Sequence, residues 1–171
     1  MDVRNLTRPL ASAAVDQHNI GRLDALKLRQ GVIFHADATA PITEADATDV
    51  STTSALVLVL RSRYIAHIAS ACNATTGVGA HISADATNVV TVAVPADEAG
   101  EIATVNELKA LFNTHRASAV FHPVADSTNS VATADATNTA TLRALANALK
   151  TKFNAHFAAA FAGSALVVVK P

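Results

Sequence analysis

A chain of 171 residues, half of them hydrophobic and only 4% aromatic, is long enough to bury a core but must build it largely from small side chains. Its net charge is −1, from 13 basic and 14 acidic residues scattered singly, with no basic stripe interleaved with aromatics; direct nucleic-acid readout is excluded. A lone cysteine, Cys72, excludes an intrachain disulfide and reads as a buried, inert thiol. No apolar run has transmembrane length, and Asp2 and Asn5 stand where a signal peptide needs a basic end and an apolar stretch. The expectation is a soluble protein made in the cytoplasm, with no membrane partner.

In chain order, residues 1–30 read as an N-terminal arm and a short helix. Positions 1–20 are polar and contain Pro9; Ile20, Leu23, Leu26 and Leu28 then give a short apolar stripe closing at Gly31. Residues 31–158 read as a repeat domain with copies at about 31–69, 70–116 and 117–158. Each copy carries Leu-x3-(Phe/Tyr)-x2-His: Leu60, Tyr64 and His67; Leu108, Phe112 and His115; Leu149, Phe153 and His156. Steps of four and then three place all three side chains on one stripe of a helix, which Leu142 and Leu145 extend backwards in the third copy. Helices are therefore expected near 53–68, 101–116 and 138–158. By itself "ALVLVL" (55–60) reads as a strand as readily; its alignment with the third copy decides for helix.

Between the helices a second phrase recurs. "HADATAPITEADAT" (35–48), "HISADATNVV" (81–90) and "HPVADSTNSVATADAT" (122–137) share an Asp-x-Thr element. Asp37, Asp85 and Asp126 suit turns. Asp46 and Asp135, each twenty-one residues before a helix-terminal histidine, suit the free amides of a helix's first turn. "VIFH" (32–35) and "AVFH" (119–122) read as short extended pieces. "NVVTVAV" (88–94), with Val90, Val92 and Val94 on one face and Pro95 at its end, reads as a strand. Arg61 and Arg63 mark the wet side of a helix. Residues 159–171 form a C-terminal tail, in which Gly163 stops the last helix and "ALVVVKP" is a terminal strand. The fold class expected is mainly α with short β segments, α+β being possible, from tandem loop-plus-helix repeats packed into one unit.

Seven histidines stand at 18, 35, 67, 81, 115, 122 and 156. His67, His115 and His156 end helices, and His35, His81 and His122 open the following loops. None of the spacings is the HxxxH or HExxH kind that fixes two ligands on one helical turn. The side chains are read as packing and capping groups: helix-terminal histidines near the last carbonyls, His115 bonded into the next loop, His122 paired with Asp126. "GVGA" (77–80) lacks the lysine of a phosphate loop, no Gly-x-Ser-x-Gly elbow occurs, and Asp97 and Glu98, between Pro95 and Gly100, suit a helix start. No residue is assigned a catalytic, cofactor-binding or metal-binding role, no cofactor is expected, and the chain is read as not an enzyme.

The stretch "FNTHRASAVFHPVADSTNSVATADATNTATLRALANALKTKFNAH" (112–156) resembles repeat-bearing virion structural proteins of tailed bacteriophages. The likeness covers about 31–158, is strongest over 104–158, and rests on the F-N-x-H and A-D-A-T phrases. It implies a non-enzymatic component of the virion, made in the host cytoplasm, as a capsid decoration, neck or tail protein. It implies other phage virion proteins as partners, in a multi-copy or homo-oligomeric assembly, and carries over no catalytic or metal-binding residue. Two alternatives stay open: a metal-binding module using His and Asp from consecutive copies, and a receptor- or glycan-binding tail module.

Overall fold

The structure, a computed structural model, describes residues 41–70, 81, 83–122 and 124–158, all within one unit, Ile33–Ala165. The readings of residues 1–30, "VIFH", Asp37, Cys72 and the 159–171 tail lie outside the described residues. What is described is helical. Three helices, α1 (Val50–Ile68), α2 (Glu98–Arg116) and α3 (Thr139–Ala158), each pack against the other two, and no β-strand occurs among the described residues.

Each helix starts where a side chain can satisfy its first amides. Asp49 caps α1: its Oδ1 accepts from the Thr52 amide at 2.8 Å, and Thr52 Oγ1 accepts from the Asp49 amide at 3.0 Å. Asn138 and Thr141 make the same reciprocal pair ahead of α3, both at 3.0 Å. Asp97 caps α2 by accepting from the Gly100 amide at 2.8 Å. Asp46 and Asp135 are not caps. They lie three residues too early, and their carboxylates pair with Lys150 at 2.6 Å and Lys109 at 2.7 Å on neighbouring helices.

The expected stripes form the core. Leu60, Leu108 and Leu149 are fully buried, each removal from water stabilising by about 1.5–3 kcal/mol. One turn on, Tyr64, Phe112 and Phe153 stack into one aromatic layer, with ring centroids 4.5 Å (Phe112–Phe153) and 5.7 Å (Tyr64–Phe153) apart. Beyond them His67, His115 and His156, each in its helix's last turn, lie with ring centroids 5.1–5.7 Å apart. Equivalent layers therefore meet at equivalent heights. All three helices run the same way, and their C-terminal ends converge.

Parallel helices oblige the connecting chain to return along the bundle, and side-chain amides hold it there. Asn113 accepts from the Val131 amide (2.9 Å) and donates to the Val131 carbonyl (3.0 Å), and Asn106 brackets Ala136 in the same way (2.8 and 3.0 Å). On α3, Asn154 brackets Ile42 and Asn147 brackets Ala47 with bonds of 2.8–3.1 Å. Arg143 adds a bond to the Thr48 carbonyl. Seven helical residues rise about 10.5 Å, whereas the five-residue steps from Ile42 to Ala47 and from Val131 to Ala136 would span about 16 Å as a strand. The return segments are curled to match, which is why they are not β.

The same reason corrects 88–94. Its amides at Thr91 and Val92 donate to the Glu107 carboxylate (2.9 and 3.0 Å) instead of to a strand, and Val90 is buried while Val94 is exposed. Tyr64 Oη donates to the Asn88 carbonyl at 2.9 Å and Arg61 Nη2 to the Val92 carbonyl at 3.1 Å. Arg61 is thus half-buried against this segment, with its Nε buried, and does not mark a wet helix face. "AVFH" is a turn, not an extended piece.

Candidate functional site

Two turns beside the converging helix ends are built identically. Asp85 Oδ1 accepts from the Thr87 amide (2.9 Å), Thr87 Oγ1 (2.8 Å) and the Asn88 amide (3.0 Å); its Oδ2 accepts from Asn88 Nδ2 (2.6 Å) and His115 Nδ1 (2.7 Å). Asp126 Oδ1 accepts from the Thr128 amide (2.9 Å), Thr128 Oγ1 (3.0 Å) and the Asn129 amide (3.1 Å). Its Oδ2 accepts from Asn129 Nδ2 (2.8 Å) and His156 Nδ1 (2.9 Å). The turn role read for these aspartates is present. Each also reaches across to a histidine ending the helix that follows it, a contact the sequence reading did not contain.

The histidine pairings differ from those expected. His115 bonds to the loop before its own helix, and His122 does not pair with Asp126, which is taken by His156. His122 Nδ1 donates to the Ser118 carbonyl at 3.1 Å and His81 Nδ1 to the Ser70 carbonyl at 2.8 Å. A carboxylate or carbonyl only accepts, so in His81, His115, His122 and His156 the Nδ1 carries the proton and the neutral ring's lone pair is on Nε2. His81 Nε2 lies 3.1 Å from His67 Nε2. One ring nitrogen each of His67, His81, His115 and His122 lies within 4.8 Å of the others. All five rings are at most 1% exposed, and the His115 Nε2 is buried with no hydrogen-bond partner. His18 and His35 lie outside the described residues.

Burial disfavours charge on these rings. It pushes His115 down to about 4 against the pull of Asp85, pushes His156 down to about 4 against Asp126, and lowers His122 against the Ser118 carbonyl. Burial alone would raise the carboxyls of Asp85 and Asp126, but the bonds from Asn88, His115 and Thr87, and from Asn129, His156 and Thr128, hold both well below the usual carboxylate range. Tyr64 is pushed above its ordinary value by burial and by the Asp85 and Glu107 charges, so its hydroxyl stays a donor. The site is a buried set of imidazoles, among which burial favours the neutral form of His115, His122 and His156, with two ionised carboxylates beside them. It has the donor chemistry to coordinate a cation, in rings withdrawn from solvent.

A signal for the His–Asp pairs is in the sequence. Asp85 precedes His115 by 30 residues and Asp126 precedes His156 by 30. Asp37 stands at the same interval before His67, outside the described residues. No helix among the described residues is long and apolar enough to cross a membrane. Comparison with protein families, with curated proteins and with solved structures finds no match.

Proposed function

We propose that the chain is a non-enzymatic structural module of a tailed-bacteriophage virion, built from three degenerate loop-plus-helix repeats and acting through protein–protein assembly. One observation carries the non-enzymatic part: His115 and His156 are buried and, through Asp85 and Asp126, tie the preceding loops to the helix ends. The recurrence of the asparagine brackets and of the His–Asp interval supports the repeat reading. The F-N-x-H and A-D-A-T phrases supply the virion setting, in which capsid decoration, neck and tail positions all fit a self-packing module.

The test is quantitative mass spectrometry of purified particles of the phage that encodes the chain, with antibody labelling of intact particles. The expected result is many copies per particle at a defined position. A chain that is expressed during infection yet absent from washed particles overturns the reading.

A further inference from the structure

We infer that His67, His81, His115 and His122 bind a divalent first-row transition cation, zinc by geometry, where the C-terminal ends of α1, α2 and α3 meet. The first support is the donor set. Four ring nitrogens from two helix ends and two loops lie within 4.8 Å of one another. Ligand nitrogens at zinc's usual distance of about 2.0–2.1 Å stand about 3.3 Å apart in a tetrahedron. The His67–His81 pair is already at 3.1 Å, and the widest pair must close by at most about 1.5 Å on binding the ion. Two imidazole nitrogens so close require a shared proton or a shared cation.

The second support is how the rings are held. His115 Nδ1 is bound to a carboxylate, and His81 and His122 Nδ1 to backbone carbonyls, the outer-sphere partners that fix the tautomer and raise ligand basicity in metal centres. His115 then has its Nε2 buried with no hydrogen-bond partner, an arrangement that costs stability unless something binds there.

The third is charge. Three helix C-termini, each equivalent to roughly −0.5 charge, converge on the site beside the carboxylates of Asp85 and Asp126. No lysine or arginine is buried among the described residues, and Arg116 donates to the Asp126 backbone carbonyl, not to its carboxylate. A divalent cation on neutral imidazoles offsets that potential without placing a charged side chain in the core. An all-nitrogen shell disfavours calcium and magnesium, and a buried four-histidine site is the structural kind. His156, held by Asp126 and 5.0–5.1 Å by ring centroid from His122 and His67, walls the site. The inference does not rest on the virion reading.

The experiment uses the full chain, stripped with a strong chelator and titrated separately with Zn2+, Co2+, Ni2+ and Cu2+. The expected result is about one equivalent of zinc bound per chain, a raised Tm, and a Co2+ form with the visible absorption of a four-coordinate nitrogen site. Asp85→Asn should weaken binding about 10–100-fold by loosening His115. Asn154→Ala, which frees Ile42 but leaves the four rings alone, should keep the stoichiometry. Removing a buried imidazole can also unfold the chain, so the wild-type titration decides by itself. Folded wild-type protein that retains none of the four metals, with Tm unmoved, overturns the site. So does a folded H81Q/H115Q variant that still binds one equivalent, because the ligands then lie elsewhere.

Discussion

Replacing Asn113 by Ala tests whether the side-chain brackets hold the return segments. The amide makes two bonds to Val131, accepting from its N–H at 2.9 Å and donating to its carbonyl at 3.0 Å. Two such bonds have a net worth of about 1 kcal/mol each, and stranding two buried backbone groups costs a further 1–3 kcal/mol each when water cannot reach them. Val131 is only 3% exposed, but Asn113 is half-buried, so water at the rim recovers part of that cost. The expected loss is about 2–3 kcal/mol, read from urea unfolding followed by far-UV circular dichroism, with m unchanged. Asn154→Ala, which removes the matching bracket on Ile42, should cost the same within about 0.5 kcal/mol. A loss below about 0.5 kcal/mol at both positions would refute the reasoning, since the segments would then be held by their apolar residues alone.

Two further perturbations probe the core. Leu149→Ala, at a fully buried position on the central stripe of α3, should cost about 2–5 kcal/mol in the same assay, and a loss under about 1 kcal/mol would place Leu149 outside the core. Stability should also fall on acidification. His115 and His156 are held near 4 when folded against 6.5 when unfolded, so the unfolded chain binds more protons between those values and stability declines as pH drops from about 6.5 to 4. Each histidine accounts for up to about 3 kcal/mol of that decline. Below the ordinary carboxylate value of 3.8, Asp85 and Asp126 add to the loss, because their folded forms resist protonation that the unfolded chain accepts. A urea midpoint that stays flat from pH 7 to 4 would contradict the burial of neutral imidazole.

The helices were legible because their evidence is local. A four-then-three spacing of Leu, aromatic and His puts one stripe on one face, and that stripe is the face found buried. The ambiguous "ALVLVL" resolves the same way, as its alignment with residues 144–149 carries the helical period. What failed depends on partners far along the chain. Asp46 looks like a cap until Lys150, 104 residues away, is seen to claim it. Residues 88–94 alternate like a strand, but their amides are taken by Glu107 from a neighbouring helix. The histidine cluster was raised only as an alternative, without its members, for a related reason. Its histidines come from separate turns and helix ends, so no pair shows the short spacing that marks a site on one element. The constant 30-residue Asp-to-His interval carries the information, but reads as a contact only once parallel helices and a returning chain bring those positions together.

That topology sets the electrostatic problem at the centre. Antiparallel helices place opposite ends side by side and partly cancel their dipoles; three parallel helices bring like ends together, and here the carbonyl ends meet beside the buried histidines. Adding two carboxylates makes the potential more negative, so Asp85 and Asp126 do not offset it. They are tolerated because each accepts five hydrogen bonds, and they orient rings whose own charged form burial disfavours. If the rings only packed, apolar residues of similar volume would serve stability as well or better, since buried ionic groups seldom outweigh well-packed hydrophobic ones. A folded variant with His115 and His156 made apolar, and the turn-holding Asp85 and Asp126 kept, would then lose no more than the one hydrogen bond each aspartate gives up and would not respond to zinc. On the metal reading that variant loses its cation and the stabilisation that comes with it. Comparing the two chains with and without zinc therefore separates a core that merely contains histidines from one organised around an ion.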